Sequence, residues 1–251
     1  MANGDRAKKL AVLIDADNAS PRIADGLFEE VAKIGEASLR RIYGDVSKGQ
    51  QAGWEKILAK HAILWQQQHA YTTGKNSSDI ALVIDAMDLL HSGRFDGFCL
   101  VSSDSDFTRL AARIREQGTD VYGIGQAKTP ESFRQACTRF IFTENFVPEA
   151  AESGKAPARA SSTADEAVPL LEKAIAELEE DAEGWYDLGT VGKLLTNLSS
   201  EFDTRTYGHA KLSSLVEATK RFEISREGQN VRMRPKPKAK STQTRRRRRS
   251  T

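Results

Sequence analysis

The chain has 251 residues, of which 39% are hydrophobic and 29% charged, a composition that suits a globular protein of one large or two ordinary domains. No apolar run approaches the roughly 20 residues needed to cross a bilayer, and the N-terminal residues do not resemble a secretory signal, so we expect a cytoplasmic protein. The formal net charge of +2 is unevenly divided, because residues 232–251 carry ten of the 37 Lys and Arg and no acidic residue, which leaves the rest at about −8. A basic tail on an acidic body predicts a polyanionic partner.

Residues 1–147 alternate short apolar runs with segments of helical periodicity. The apolar runs predict buried strands at Leu10–Ile14, Leu39–Tyr43, Ile63–Trp65, Phe98–Ser102 and Val121–Ile124. The helical periods lie at Ile23–Ile34, Trp54–Lys60, Asp79–Leu90, Phe107–Gln117 and Pro130–Ala136. This alternation predicts an α/β fold, a Rossmann-like parallel sheet with flanking helices. The two cysteines, Cys99 and Cys137, lie in apolar stretches and predict buried, reduced thiols.

The rest of the chain divides into a linker, a second domain and a tail. Residues 148–164 are mostly Ala, Ser, Pro, Gly and Glu, which predicts a flexible linker and loosely tethered domains. Residues 165–234 show three helical periods, Val168–Leu178, Val191–Leu198 and Tyr207–Thr219, followed by two strand-like runs that flank residues 227–229. Three helices closed by a hairpin predict a small winged-helix domain. Residues 235–251 cannot bury a core and predict a disordered basic tail.

Four aspartates are expected at one edge of the predicted sheet. Asp15 follows the first strand, Asp104 and Asp106 follow the fourth, and Asp79 lies in the first turn of a helix. In open α/β sheets the carboxyl ends of the strands and the helix starts share an edge, where ligands bind. Two carboxylates about 4 Å apart repel by about 4 kcal/mol at an effective dielectric constant near 20. The cluster therefore predicts a Mg²⁺ or Mn²⁺ site that activates a water molecule for attack on a phosphodiester.

A purely structural interpretation of these aspartates stays open. Asp residues after strands often cap turns and helices, and Asp106 precedes a predicted helix. Asp85 and Asp88 lie on other faces of their helix than Asp79 and are interpreted as surface or structural residues. Asp45 follows the second strand and is a further candidate for the same edge. The candidate substrate contacts are Asn18, Lys75 and Ser103, with a solvated loop position as the alternative for Lys75.

Several ordered blocks of the first domain resemble a known family. The segments "LIDADNAS", "RIYGD", "KNSSDIALVIDAMDLL", "LVSSDSDFTRLAARIREQG" and "VYGIGQAKTPESFRQACTRFIF" resemble the NYN domain, in particular its LabA-like branch within the PIN-like nuclease superfold. The resemblance covers about residues 8–146. It implies a metal-dependent ribonuclease site whose acidic positions fall on Asp15, Asp79, Asp104 and Asp106, and it matches Asn18 to the family's Asn after the first strand.

The second domain resembles the OST-HTH, or LOTUS, domain, a winged-helix fold linked to RNA binding. The segment "FDTRTYGHAKLSSLVEATKRFEISREGQNVRMR" carries this resemblance. An RNA-binding face is predicted from Lys193, Arg205, Tyr207, His209 and Lys211. Core packing is the alternative for Tyr207, and a protein partner is the alternative for the whole module. The tail is interpreted as an electrostatic arm for RNA, made of Arg245, Arg246, Arg247, Arg248 and Arg249.

Three functional hypotheses follow. The first is a metal-dependent endoribonuclease that recruits RNA through its C-terminal domain and Arg-rich tail. The second is an RNA-binding regulatory adaptor that has the same fold but no catalytic activity. The third is a phosphatase of the haloacid dehalogenase type, because Asp15-Ala-Asp17 imitates its nucleophile and acid. That chemistry normally has Thr or Val two residues after the second Asp, where this chain has Ala19. The sequence carries no signal for the oligomeric state.

Overall fold

A computed structural model of the protein describes residues 6–44, 52–67, 77–145, 163–228 and 230–236. The described residues form an N-terminal unit (residues 6–145) and a C-terminal unit (residues 163–236), each with an apolar core of its own. None of the described helices combines the length and the apolar character that a membrane crossing requires.

The N-terminal unit is built on a parallel sheet, which confirms the predicted α/β class. Its strands are β1 (Lys9–Asp15), β2 (Glu36–Gly44), β3 (Leu64–Gln67), β4 (Gly97–Val101), β5 (Asp120–Gly125) and β6 (Arg139–Phe142). They lie in the order β3-β2-β1-β4-β5-β6, and every neighbouring pair is parallel. The strand order changes direction between β1 and β4, the position at which open α/β sheets bind ligands.

Helices bury both faces of this sheet. They are α1 (Ala24–Ile34), α2 (Ala52–His61), α3 (Ser77–His91), α4 (Thr108–Glu116) and α5 (Glu131–Ala136). Leu13 of β1 joins the apolar cluster under α3, α4 and α5, whereas Val12 and Ile14 join the cluster under α1 and α2. The near-continuous apolar sequence of β1 reflects this burial on two sides. Both Cys99 and Cys137 are free and buried, as predicted.

One glycine brings the ends of β4 and β5 together. A Cβ atom at Gly125 would lie 2.5 Å from the carbonyl oxygen of Ser102 and 2.8 Å from Oγ1 of Thr129. Real Cβ atoms do not come so close to other atoms, so only glycine fits here. The close approach holds the loop after β5 against the loop after β4, at the edge where the predicted acidic residues lie.

The C-terminal unit has the predicted helices and closing hairpin. Its elements are α6 (Val168–Ala176), β7 (Tyr186–Asp187), α7 (Leu188–Leu198), α8 (Leu212–Ala218), β8 (Phe222–Glu227) and β9 (Asn230–Pro235), with strand order β7-β9-β8. The third helix was predicted to start at Tyr207, but it starts at Leu212. Gly208 adopts a left-handed conformation with φ of 78°, which ends a short 3-10 helix at Thr204–Tyr207 and separates it from α8.

A charged network joins the two units, although loose tethering was expected. The guanidinium of Arg205 in the C-terminal unit donates to Glu30 of α1 at 2.5 and 3.0 Å. The same group donates to Asp203 at 2.6 Å. Glu30 is 4% exposed, so its charge is compensated by Arg205 in a largely water-free position. Separation of the two units would break this pair and leave Glu30 without its arginine partner.

Backbone contacts at the sheet edge reinforce this network. The N–H of Phe140 in the edge strand β6 donates to the carbonyl oxygen of Ser200 at 2.7 Å. Oγ of Ser200 donates to the carbonyl oxygen of Arg134 at 3.1 Å, and the Arg134 guanidinium pairs with Glu201. The C-terminal unit therefore covers part of the otherwise open β6 edge. Polar groups of both units are thus paired with each other, whereas the predicted linker, residues 148–164, lies almost entirely outside the described residues.

Candidate active site

Asp15 lies at the centre of the carboxyl edge of the sheet. It ends β1, is 1% exposed, and its Oδ2 accepts hydrogen bonds from Oγ of Ser102 at 2.7 Å and Nδ2 of Asn18 at 2.8 Å. Its Oδ1 accepts from the backbone N–H of Asp17 at 3.0 Å. Burial raises the pKa of Asp15, and the hydrogen bonds offset part of that rise because they favour the charged form. Asp15 is thus a fixed, buried carboxyl.

Ser102 links the ends of the two central strands. It follows β4, and its Oγ donates to Asp15 while accepting from the backbone N–H of Asp104 at 3.0 Å. Asp104 in turn caps the 3-10 helix Ser105–Phe107, because its Oδ1 accepts from the N–H of Asp106 at 2.9 Å. The capping role that the sequence suggested for Asp106 therefore belongs to Asp104, while Asp106 lies exposed in the first turn.

Asp79 approaches the same edge from α3. It lies in the first turn of the helix and is half-buried. The preceding residue, Ser78, donates through Oγ to Oδ2 of Asp17 at 3.3 Å, which ties the helix start to the loop after β1. Burial, followed by the negative charges of Asp15, Asp104, Asp17 and Asp106, raises the pKa of Asp79 to about 6. The charges of the other three predicted aspartates therefore all act on Asp79 at this edge, and so does the charge of Asp17.

The cluster consists of hard oxygen donors whose negative charges act on Asp79. No Lys or Arg within the described ranges forms an ion pair with Asp15, Asp79 or Asp104. Carboxylate oxygens are the preferred ligands of Mg²⁺ and Mn²⁺, and a bound cation would relieve the repulsion that Asp79 experiences. In the same described ranges, however, no three His, Cys, Asp or Glu side chains converge closely enough to hold one ion. The carboxylate oxygens are therefore of the type that binds a divalent ion, but in the described residues their side chains do not meet at one point.

Other acidic candidates lie elsewhere. Asp85, interpreted as surface or structural, accepts hydrogen bonds from Arg41 and Tyr43 of β2 and fixes α3 to the sheet. Its charge is compensated by Arg41, so it does not add to the acidic cluster. Asp88 is exposed on α3. Asp45, Lys75 and the five tail arginines lie outside the described residues.

The candidate substrate contacts Asn18 and Ser103 have defined positions. The amide nitrogen of Asn18 is held by Asp15, which orients this side chain at the edge. Oγ of Ser103 accepts from the backbone N–H of Gln126 at 2.9 Å and joins the loops after β4 and β5. Ser103 therefore has a structural role, because it holds the loops after β4 and β5 together. The sequence alone, with its consecutive serines, does not indicate this role.

The predicted RNA-binding residues of the C-terminal unit separate into two groups. Lys193 and Lys211 are exposed, and they flank the contact between Gly192 and Leu212 where α7 meets α8. Tyr207 is half-buried and packs against the apolar core, and its ring lies 6.1 Å from that of Phe202. Tyr207 thus takes the core position that was its alternative interpretation.

Arg205 requires a correction. It was predicted to face RNA, but its guanidinium is occupied by Glu30 and Asp203 at the contact between the two units. Two carboxylates within the protein therefore balance the charge of this arginine, which reduces its availability for a phosphate. His209 is half-buried next to this segment.

Sequence reasoning missed Ser102, Ser78 and the part played by Asp17. Ser102 and Ser78 each stand directly before a candidate segment, in "SSDSD" and "SSD", so repeated serines next to aspartates were the available signal. Their hydrogen bonds connect Asp15 to Asp104 and Asp17 to α3. Such cross-links between loops depend on the order of the strands in the sheet, which the sequence pattern does not specify.

Comparison with known proteins places the two units in families. A sequence model described as the NYN domain matches residues 9–144, and a model described as the OST-HTH/LOTUS domain matches residues 159–233. No curated protein sequence matches the chain. Among solved structures, a protein of unknown function from Vibrio parahaemolyticus is similar with a TM-score of 0.48 and 18% identity, over 55% of this chain and 94% of that one.

Proposed function

Because the chain belongs to the NYN domain family of PIN-like nucleases and carries an OST-HTH/LOTUS domain, we propose that it is a metal-dependent endoribonuclease. The observation that carries this proposal is the raised pKa of Asp79 at the carboxyl edge, which burial and then the charges of the neighbouring aspartates produce. Strongly perturbed acidic groups in a ligand-binding position are typical of functional sites. An RNA phosphodiester is the proposed substrate.

The proposed ligands of Mg²⁺ or Mn²⁺ are Asp15, Asp79, Asp104 and Asp106. When bound, a divalent ion supplies charge neutralisation for the phosphodiester and lowers the pKa of the attacking water. The chain's own groups organise this edge. Ser102 and Asn18 fix the carboxyl of Asp15, and Oγ of Ser102 also positions the backbone of Asp104.

The C-terminal unit and the tail are proposed to recruit the RNA. The exposed Lys193 and Lys211 provide positive charge on the C-terminal unit, and the arginines at 245–249 provide a run of phosphate contacts. Lys75 keeps its proposed role near the substrate. A protein partner for the OST-HTH/LOTUS domain is the alternative use of this surface. The proposed compartment is the cytoplasm, in keeping with two buried free thiols.

The test is a cleavage assay on labelled RNA with Mg²⁺, Mn²⁺ or no divalent ion. We expect metal-dependent internal cleavage by the wild type and a loss of about 100-fold or more in Asp104→Asn and Asp15→Asn, because each removes a proposed ligand. Asp88→Asn is the matched control, since it removes an exposed aspartate of α3 and should keep full activity. Unchanged cleavage in both ligand variants would show that the chemistry occurs elsewhere.

A second candidate, the non-catalytic RNA-binding adaptor, is favoured by one observation. Within the described ranges no three acidic or imidazole groups converge on a single point. An adaptor would bind RNA with an affinity that decreases steeply with salt, and no divalent ion would produce cleavage. The same metal series therefore separates the two functions, because only the nuclease releases shortened RNA.

A further inference from the structure

An open groove of about 400 Å³ adjoins the acidic edge. One wall is the loop after β1, residues 16–21, and the other is formed by Gln126 and Lys128 from the loop after β5. Asp17, a member of the acidic cluster, is also part of the groove wall, so the groove opens onto the cluster. Its volume lies within the roughly 300–1,000 Å³ that small-ligand sites occupy. There is room for one nucleotide beside the proposed site of cleavage.

Hydrogen bonds hold both walls of the groove in place. In the first wall, the N–H of Ala19 donates to the carbonyl oxygen of Asp15 at 2.9 Å, and Nε1 of Trp54 donates to the carbonyl oxygen of Ala19 at 3.3 Å. In the second wall, the N–H of Gln126 donates to Ser103, and the N–H of Ala127 donates to Glu144 at 2.8 Å. A groove with fixed walls loses little conformational entropy when it binds a ligand.

The charges in the groove differ from those of the edge. Asp17 faces the acidic cluster, while the rest of the groove is lined by uncharged side chains, both polar and apolar, and by the exposed Lys128. Lys128 forms no ion pair within the described part of the chain, and it is the one Lys or Arg among the described groove residues. A polyanionic strand approaching the aspartates is repelled by them, and a nearby cation reduces this repulsion.

We infer that the groove binds the nucleotide adjacent to the cleaved phosphodiester of a single-stranded RNA, with Lys128 contacting its backbone phosphate. The inference rests on the proposed function for the identity of the substrate. Asn18, Ser20 and Gln126 line the groove and offer hydrogen-bonding groups to the sugar or base. The groove accommodates one nucleotide, and an unpaired strand can enter it more readily than a duplex.

The test compares Lys128→Ala, Lys128→Arg and the wild type, all as full-length chains, with a short unstructured RNA. We expect Lys128→Ala to raise KM about tenfold with kcat changed less than about twofold, because one charged phosphate contact is lost. Lys128→Arg keeps the charge and should restore KM. Arg94→Ala is the matched control, because Arg94 is an exposed cation in the turn before β4, at the opposite end of the sheet.

Binding measured without divalent ions separates this inference from the nuclease proposal. In a salt titration, Lys128→Ala should reduce the slope of log affinity against log salt by about one, whereas Arg94→Ala leaves it unchanged. If the wild type binds RNA with this difference but never cleaves it, the nuclease proposal fails, while the assignment of the groove and Lys128 to RNA binding stands. If the wild type cleaves RNA and Lys128→Ala matches it in KM and salt slope, the groove assignment is overturned. An equal effect of Lys128→Ala on duplex RNA would also contradict it, and a single-stranded DNA arm tests whether the groove selects the ribose.

Discussion

The carboxyl edge of the sheet and the contact between the two units both gather buried acidic side chains, but they balance charge in opposite ways. At the contact, burial raises the pKa of Glu30, yet hydrogen bonds from Arg205 and Lys33 outweigh burial and leave that pKa lowered. At the edge, burial and the neighbouring aspartates raise the pKa of Asp79 to about 6. Paired carboxylates hold the units together, whereas carboxylates that repel one another remain available for a cation.

The largest expected effect is at the contact between the units. Arg205→Ala removes the shared partner of the buried Glu30 and Asp203 and leaves Lys33 beside Glu30, a change that should cost about 3 kcal/mol. We expect the units to separate, so that the Phe140 amide, which donates to Ser200, exchanges with solvent about 100-fold faster.

Hydrogen exchange read by NMR measures this change in the full-length chain. The Leu13 amide in the central strand should stay protected, and Arg113→Ala, which breaks an exposed pair with Glu116, should change neither amide. Unchanged exchange at Phe140 in Arg205→Ala would mean that the contact does not depend on this arginine.

A smaller effect is expected from Ser102→Ala, which removes the link between Asp15 and Asp104. Ser102 is 2% exposed, and its loss removes one hydrogen bond to Asp15 and leaves the N–H of Asp104 without its acceptor. We expect the free energy of unfolding to decrease by about 2 kcal/mol. Urea denaturation measures this value. Ser38→Ala, on an exposed serine, should change it by less than about 0.5 kcal/mol. Equal stabilities of the two variants would refute the linking role of Ser102.

The smallest expected effect is an increase in the free energy of unfolding, caused by a substitution at Asp79. The pKa of Asp79 in the folded chain, about 6, lies above its ordinary value of 3.8, so the folded chain binds this proton more tightly than the unfolded chain. Wild-type stability therefore falls as pH rises from about 4 to about 6, and Asp79→Asn does not share that fall. After allowance for solvent screening, we expect Asp79→Asn to be more stable by about 1 kcal/mol at pH 7 without divalent ions.

Denaturation of both proteins across this pH range, in a chelating buffer, measures the difference. It should disappear near pH 4, where Asp79 is protonated in the wild type. Asp88→Asn, on the exposed part of the same helix, should show no comparable gain. A destabilised Asp79→Asn at pH 7 would mean that the edge does not repel this charge.

Much of the fold and part of the site were predictable from local pattern. Asp15 and Asp104 stand at the ends of two apolar strands that pair in parallel. Their position at one edge was predictable, because the carboxyl ends of parallel strands lie at the same edge of a sheet. Strand β6 was missed, because four residues directly after a helix give too short a pattern; it forms where β5 offers it a partner. The Arg205–Glu30 pair joins residues 175 positions apart, and no local signal identifies such a contact. Lys128 was missed for a similar reason, since its importance depends on which loops face each other across the groove.

The central claim is that the acidic edge, and not the paired carboxylates at the contact, binds a divalent cation. Paramagnetic Mn²⁺ added in small amounts to the isotope-labelled chain tests it directly, because the ion broadens the NMR signals of nearby amides. The account predicts selective broadening at Asp17, Asp79 and Asp104, with Glu30 and Asp203 unaffected, and loss of this selectivity in Asp104→Asn. Uniform broadening, or broadening centred on Glu30 and Asp203, would contradict it.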